Sequence, residues 1–305
     1  LNKTVVPEFE IPENLTPLEM GGIMKKGGLH QNAITATIIR LGVLGYLRIE
    51  NNDERGIFSN KNDFRLIKTD KEPAPAGGDL YASEELVRQA LFADGSETKL
   101  SEMKLEFYKN ISEVSKSLLN DLDQRRLAEK RGRNYSIGMV IFGGLLVFSS
   151  FPTVAVSHLV FIGLILAGVI TIFFGAFMSR LTAAGAELDW RIKGFRLYMD
   201  TAEKYRSRFQ ENEGIMEKLL PYAILFGITK KWLKKMRDIY GEKYFDNYRP
   251  AFMAGALAAS NFDNFAAAVD NISSSIASTV SPSSSGSGGA GGAGRGRRVR
   301  PLCAL

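Results

Sequence analysis

Two uncharged stretches decide the architecture: Tyr135–Phe151, YSIGMVIFGGLLVFSSF, and Val154–Met178, VAVSHLVFIGLILAGVITIFFGAFM. From Asn134 to Ser179 there is no Lys, Arg, Asp or Glu, and the one imidazole is His158. A membrane-spanning helix needs roughly 20 apolar residues, within a range of about 17–25. The first stretch meets the lower limit and the second meets it comfortably. Ser149, Ser150 and Pro152 interrupt them, and proline cannot easily continue a helix. The spacing predicts a transmembrane helical hairpin over residues 135–178 with a very short loop. The competing reading is a buried hairpin in a soluble core, which rarely needs so long a charge-free run. Its position deep in the chain excludes a signal peptide. His158 near the turn is read as an interfacial residue, with a proton-relay role as the alternative.

The charges around the hairpin orient it. Arg125, Arg126, Lys130, Arg131 and Arg133 precede it, and Arg180, Arg191, Lys193 and Arg196 follow it, while the loop carries no cation. Positive residues collect on the cytoplasmic side, so both soluble halves are expected there. The whole chain of 305 residues averages these features away, with 45% hydrophobic, 24% charged and a net charge of +6. Residues 1–130 hold 18 basic against 21 acidic side chains, and the remainder holds 21 against 12. The basic excess therefore lies around and after the hairpin, which suits an anionic membrane surface. One cysteine, Cys303, excludes a disulfide-stapled module. That cysteine and two distant histidines make a Cys/His metal site untenable. Cys303 is third from the end and so does not fit the prenylation spacing.

Before the hairpin, residues 1–15 read as an extended lead-in, because Pro7 and Pro12 disfavour helix before them. Leu1 in place of a starting methionine points to a processed chain or a fragment. Thr16-Pro17-Leu18-Glu19 is a compact capping box opening a short helix that ends at Gly27-Gly28. Gln31–Leu44 is a second helix, with Ile34, Ile38, Leu41 and Leu44 at helical spacing and Gly45 as its terminator. His30 is expected to cap that helix or lie on the surface. Tyr46–Glu50, a polar turn at Asn51–Gly56 and Phe64–Lys68 predict two strands. Residues 16–70 thus read as a winged-helix-like domain. Residues 71–82 form a Pro/Gly linker. Residues 83–133 form a helical or second winged-helix-like unit. It has a helix capped by Ser83, a short strand near Thr98, and a long helix from Leu105 to Lys130. Running almost directly into the hairpin, that long helix would let movement of the soluble part be felt at the membrane.

After the hairpin, residues 180–250 are expected to be cytosolic amphipathic helices. Leu188, Ile192, Phe195, Tyr198, Met199, Ala202 and Tyr205 recur every three or four positions. Gly214 breaks this helix, and Ile215–Tyr240 follows with Pro221 as a start or kink. Within it, Lys230, Lys231, Trp232, Lys234, Lys235 and Arg237 support two readings. One is a core helix with a solvated basic face. The other is a helix lying on an anionic membrane, with Trp232 at the boundary. Residues 251–305 are Ser/Gly/Ala-rich in large part and read as a low-complexity, disordered tail. Its end carries Arg295, Arg297, Arg298 and Arg300, explained by a basic lipid contact or a shifted reading frame.

Two segments after the hairpin, DWRIKGFRLYMDTAEKYR (189–206) and MEKLLPYAILFGITKKW (216–232), carry a family resemblance, as does LTPLEMGGIMKKGGLHQNAITATIIRLGVLGYLRIE (15–50). From about Pro12 to Tyr248 the chain resembles the C-terminal part of the YciQ-like predicted bacterial membrane proteins, a family without assigned function. The resemblance implies an inner-membrane location, an upstream extracytoplasmic β-rich domain and one further membrane helix. It supplies no catalytic residues.

No P-loop, G-x-S-x-G elbow, H-E-x-x-H helix or paired intramembrane carboxylates occur in the sequence. No catalytic, cofactor or metal residues are therefore assigned. The fold class expected is mainly α with small β wings, a two-helix membrane hairpin, C-terminal helices and a disordered tail. The function expected is non-enzymatic: a membrane-anchored scaffold that binds a protein partner or itself, with the lipid bilayer as its other partner. Two alternatives stand beside it. One is an accessory subunit of a transporter or membrane enzyme. The other is a membrane-tethered regulator touching DNA through Gln31, Asn32 and Arg40. The acidic balance of residues 1–130 counts against nucleic acid, whose affinity rests on phosphate neutralisation.

Overall fold

The computed structural model describes residues 4–52, 63–72, 80–100, 102, 104–152, 157–177, 181–211, 214–246, 248–254 and 261–280. The tip of the expected wing, most of the 71–82 linker, Arg180 and the Arg-rich end lie outside them. The architecture is mainly helical, with one small antiparallel sheet.

The capping box forms as the sequence predicts. Thr16 Oγ1 accepts from the Glu19 amide at 3.2 Å, and Glu19 Oε2 accepts from the Thr16 amide at 3.0 Å, opening α1 (Pro17–Met24). His30 caps α2 (Gln31–Val43) through Nδ1, which accepts from the Asn32 amide at 3.2 Å. Strands β1 (Leu47–Asn52) and β2 (Asp63–Lys68) pair antiparallel, with Ile49 opposite Leu66. A third strand, β3 (Glu97–Lys99), adds to the free side of β2, with Leu66 opposite Thr98. It joins the segment after residue 80 to the sheet begun before it. Between them α3 (Ala82–Leu91) begins after Tyr81, whose amide donates to Glu84 Oε2. Ser83, expected as the cap, instead lies buried inside the helix.

The long helix expected over Leu105–Lys130 is shorter. α4 (Lys104–Gln124) ends in a turn where Arg126 takes φ +58° and the Leu127 amide returns to the Leu122 carbonyl. The helix α5 (Lys130–Ser150) then starts afresh and pairs with α6 (His158–Phe177). Ala128 bridges Leu181, and Thr182 donates to the Leu127 carbonyl through its amide and to the Arg126 carbonyl through its hydroxyl. Gly185 packs so closely on Leu127 that a Cβ would overlap the carbonyl. The two ends of the hairpin are therefore pinned to one another.

After the hairpin come α7 (Ala183–Asp200), a 3-10 turn (Ala202–Tyr205) and α8 (Arg206–Glu211). α9 (Ile215–Leu225) carries Pro221 inside it without ending there. The helical region expected over Ile215–Tyr240, with Pro221 as a start or kink, is instead divided at Gly227, φ +68°, a left-handed position that disfavours a side chain. α10 (Thr229–Tyr240) and the short α11 (Glu242–Asp246) follow.

The largest correction concerns the region assigned to a disordered tail from residue 251. Phe252–Ala254 lie along β1: the Ile49 amide donates to the Phe252 carbonyl, and the Ala254 amide donates to the Ile49 carbonyl. Phe262–Val280 is a helix, α12, whose Phe265, Val269, Ile272, Ile276 and Val280 are buried. They pack against α2, α4, α10 and β2. Small Ser and Ala residues occupy much of the rest of α12, which lowers its hydrophobicity but not the regularity of its apolar stripe. Residues 281–305 lie outside the described ones.

Segments before and after the hairpin thus build one hydrophobic core. It contains Leu18, Ile38 and Leu122 from one side and Phe195, Leu220 and Ile272 from the other. The Tyr222 hydroxyl crosses between them and donates to the Leu15 carbonyl at 2.7 Å. Truncating Ile272, which is 0% exposed, tests how much α12 adds. Ile272→Ala is expected to cost about 2–5 kcal/mol in urea denaturation of the detergent-solubilised chain. A cost near zero would mean that α12 does not pack.

Candidate functional site

The exposed apolar surface is concentrated on α5 and α6. Leu145, Phe148, Leu159, Phe173 and Phe174 are each more than half exposed. His158–Gly175 is the one segment, among the described residues, long and apolar enough to cross a membrane, with a mean hydropathy of 2.4 and 11% of it buried. A core helix would be mostly buried, so the low burial argues against the soluble-core reading. Its partner Tyr135–Ser150 is a shorter apolar helix. α6, at about 1.5 Å per residue, matches the roughly 30 Å hydrocarbon core of a bilayer.

The two helices approach at glycines. A Cβ on Gly143 would sit 2.8 Å from the Gly168 carbonyl oxygen, and one on Gly168 would sit 2.8 Å from the Gly143 carbonyl oxygen. The reciprocal contact lets the backbones touch, as small residues do between membrane helices. Ser136 closes the base of the pair by donating to the Gly175 carbonyl at 2.7 Å.

The cations expected to flank the membrane have unequal surroundings. Arg125 reaches inward and donates to Glu19 at 2.7 Å, with Glu13 at 3.5 Å. Arg126 is exposed at the turn before the hairpin. Lys130, Arg131 and Arg133 begin α5, with their side chains outside the described residues. Arg180 is also outside them.

The basic stretch of α10 is largely built into the fold. Trp232, expected at a membrane boundary, is 1% exposed and packs edge-on against Phe209 at 5.5 Å. Its ring is therefore not available to an interface, and that expectation is corrected. Lys235 is buried and donates to the Asp200 carbonyl. Lys231 pairs with the Asp200 carboxylate at 2.8 Å, and Lys230 pairs with Asp270 of α12 at 3.2 Å. Arg237 lies over the Phe262 ring at 5.1 Å. Lys234 is exposed.

Of the α2 residues offered to DNA in the alternative reading, Gln31 is exposed and Asn32 and Arg40 are half-buried at its edge, while the rest of the helix is enclosed. Nine of its thirteen residues are buried, and α1, α3, α9 and α12 surround it. Arg40 is held by Glu84, with hydrogen bonds of 2.9 and 3.1 Å. Most of this helix is thus enclosed by its neighbours, unlike a recognition helix that is free along its length to enter a DNA groove.

The Arg40–Glu84 pair also has an acid–base consequence. Burial raises the Glu84 carboxyl to about 7, more than the Arg40 guanidinium lowers it. A carboxyl raised on folding contributes stability fully below its unfolded value near 4.5 and loses it as pH rises through about 7. Between pH 5 and 7.5 the wild-type Tm should therefore fall relative to that of Glu84→Gln, whose side chain does not titrate. Parallel pH profiles of Tm for the two proteins would contradict this assignment.

No curated protein and no solved structure matches the chain. A family model described as "Predicted membrane protein (DUF2207) C-terminal domain" matches residues 5–236. That span takes in the capped helices, the sheet, the hairpin and most of α10, and the chain belongs to this family of predicted membrane proteins.

Proposed function

We propose that the protein is a two-pass membrane anchor that holds a non-catalytic folded body at the cytoplasmic face of a bacterial inner membrane. In this reading the body binds a protein partner or a second copy of itself. The shared core carries the topology. If α6 alone crossed the bilayer, the segments before and after the hairpin would stand on opposite sides. They pack into one core, which supports a crossing by α5 as well. Its shorter apolar length is accommodated by local thinning of the bilayer or by polar flanks reaching to the interface. Cations at both ends of the hairpin support a cytoplasmic position for the body.

The arrangement of α1, α2, β1 and β2 supports a winged-helix-like reading of the body, with β3 as an added strand. Its α2 helix serves packing rather than nucleic-acid contact. The commitment of Arg40, Glu84, Glu19 and Arg125 to one another supports structural use of these charges over catalysis. Any contact of α10 with anionic headgroups rests on Lys230, Lys231 and Lys234, the exposed members of its basic face. The pinned neck at Leu127, Thr182 and Gly185 supports mechanical coupling between body and hairpin.

Cysteine labelling tests the topology. In a Cys303→Ser background, Ser157→Cys marks the hairpin tip and Glu203→Cys marks the body. A membrane-impermeant maleimide added to intact spheroplasts is expected to label position 157 and to reach position 203 only after permeabilisation. Labelling of position 203 from outside, or of both positions only after permeabilisation, would refute the proposed arrangement.

A further inference from the structure

Three carboxylates and two guanidiniums meet inside the body, where α1, α2, α3 and α4 come together. Glu19 and Glu84 have fully buried side chains. Asp121, on α4, is half-buried and faces Ser83 of α3. Arg125 donates to Glu19 at 2.7 Å, and Arg40 donates to Glu84 at 2.9 and 3.1 Å. Glu19 lies near enough to Glu84 and to Asp121 to oppose the ionisation of both. The Thr16 and Tyr81 amides donate to Glu19 and Glu84. Tyr222 of α9 stands against Arg40, and burial raises its hydroxyl, which stays neutral. Glu13 of the lead-in approaches Arg125 at 3.5 Å and Arg191 at 3.9 Å, at the solvent edge.

The charges of this cluster do not balance. With every group ionised, Glu19, Glu84 and Asp121 outnumber Arg40 and Arg125, and one negative charge is left over. A buried net charge is costly, and neighbouring carboxylates disfavour one another's ionisation. One proton restores neutrality with no change of structure. Burial raises the Glu84 carboxyl to about 7, which makes it the group that holds the proton. Burial raises the Asp121 carboxyl too, and Glu19 adds to that rise.

The cluster is tied to the neck of the hairpin. α3 packs along α4, which carries Asp121 and ends at Gln124. Arg125 comes next, followed by left-handed Arg126 and by Leu127, whose carbonyl accepts from the Thr182 amide.

We infer that Glu19, Glu84 and Asp121, with Arg40 and Arg125, form a proton-operated latch: the bound proton holds α3 against α4 and the neck closed, and its release loosens both. Release adds repulsion among three carboxylates. Movement of α3 relieves it, because Glu84 then reaches water. Asp121 and Arg125 sit at the same end of α4, so the disturbance reaches Leu127. The latch gives the proposed coupling of body and hairpin a regulator, and it rests on that reading only for its effect in the membrane.

Hydrogen–deuterium exchange on the full chain in phosphatidylcholine nanodiscs tests the latch between pH 6 and 8, with rates corrected for intrinsic exchange. A carboxyl raised from 4.5 to about 7 on closing stabilises the closed form at low pH and loses that effect as pH rises through about 7. Opening of residues 82–91, 125–128 and 181–185 is therefore expected to increase about tenfold from pH 6 to pH 8, with α10 unchanged. Glu84→Gln, which does not ionise, should show no increase. Asp121→Asn leaves two carboxylates for two guanidiniums and should show a smaller increase than the wild type, so it carries the test if Glu84→Gln does not fold. A flat wild-type profile, a wild-type increase in the folded variants, a response of α3 without the neck, or an equal response throughout the chain would each overturn the inference. None of these outcomes depends on the hairpin topology.

Discussion

The hydrogen bond from Tyr222 to the Leu15 carbonyl joins residues 207 positions apart, with the whole apolar hairpin between them. It is one contact in a core to which both flanks contribute, and that joint construction constrains the molecule more than any other feature. Closing so long a loop carries an entropic cost that grows only slowly with length. The hairpin can therefore be carried as an insertion within a folded body. In the proposed two-pass arrangement the body lies on one side of a bilayer and the hairpin returns to the side from which it left. At the neck the backbone contacts of Leu127, Ala128, Leu181 and Thr182 hold the two ends of the hairpin together.

The same constraint redistributes the charges. Glu19 and Glu84 have fully buried side chains, and an unpaired buried carboxylate is costly. Arg125 and Arg40 answer them, and Asp200 and Asp270 draw the lysines of α10 towards the body. A cation counted along the sequence is therefore not always one that faces a lipid headgroup. Arg125 belongs to the positive flank by position, yet its guanidinium serves the inside of the body.

Much of the local structure was legible because it depends on neighbours in sequence. The Thr16/Glu19 box, the His30 cap and the periodicity of α7 rest on groups within a few residues of one another. Trp232 was not legible in the same way: a basic amphipathic helix has one pattern whether its apolar side meets a core or a membrane. Only Phe209, brought in from another helix, distinguishes the two. α12 could have been recognised, since Phe265, Val269, Ile272, Ile276 and Val280 keep helical spacing. The surrounding serines and alanines concealed it by composition.

By itself the sequence determined that an uncharged hairpin interrupts charged segments, and where α1, α2 and the first two strands begin. Those follow from hydropathy and short-range hydrogen bonding, which act over one or two helical turns. Only the tertiary structure decided that the two flanks share a core, that α12 and residues 252–254 complete it, and that α2 is enclosed. Burial and ion pairing are set by which surfaces meet in space. Residues more than a hundred positions apart leave no periodic trace of that meeting in a single chain.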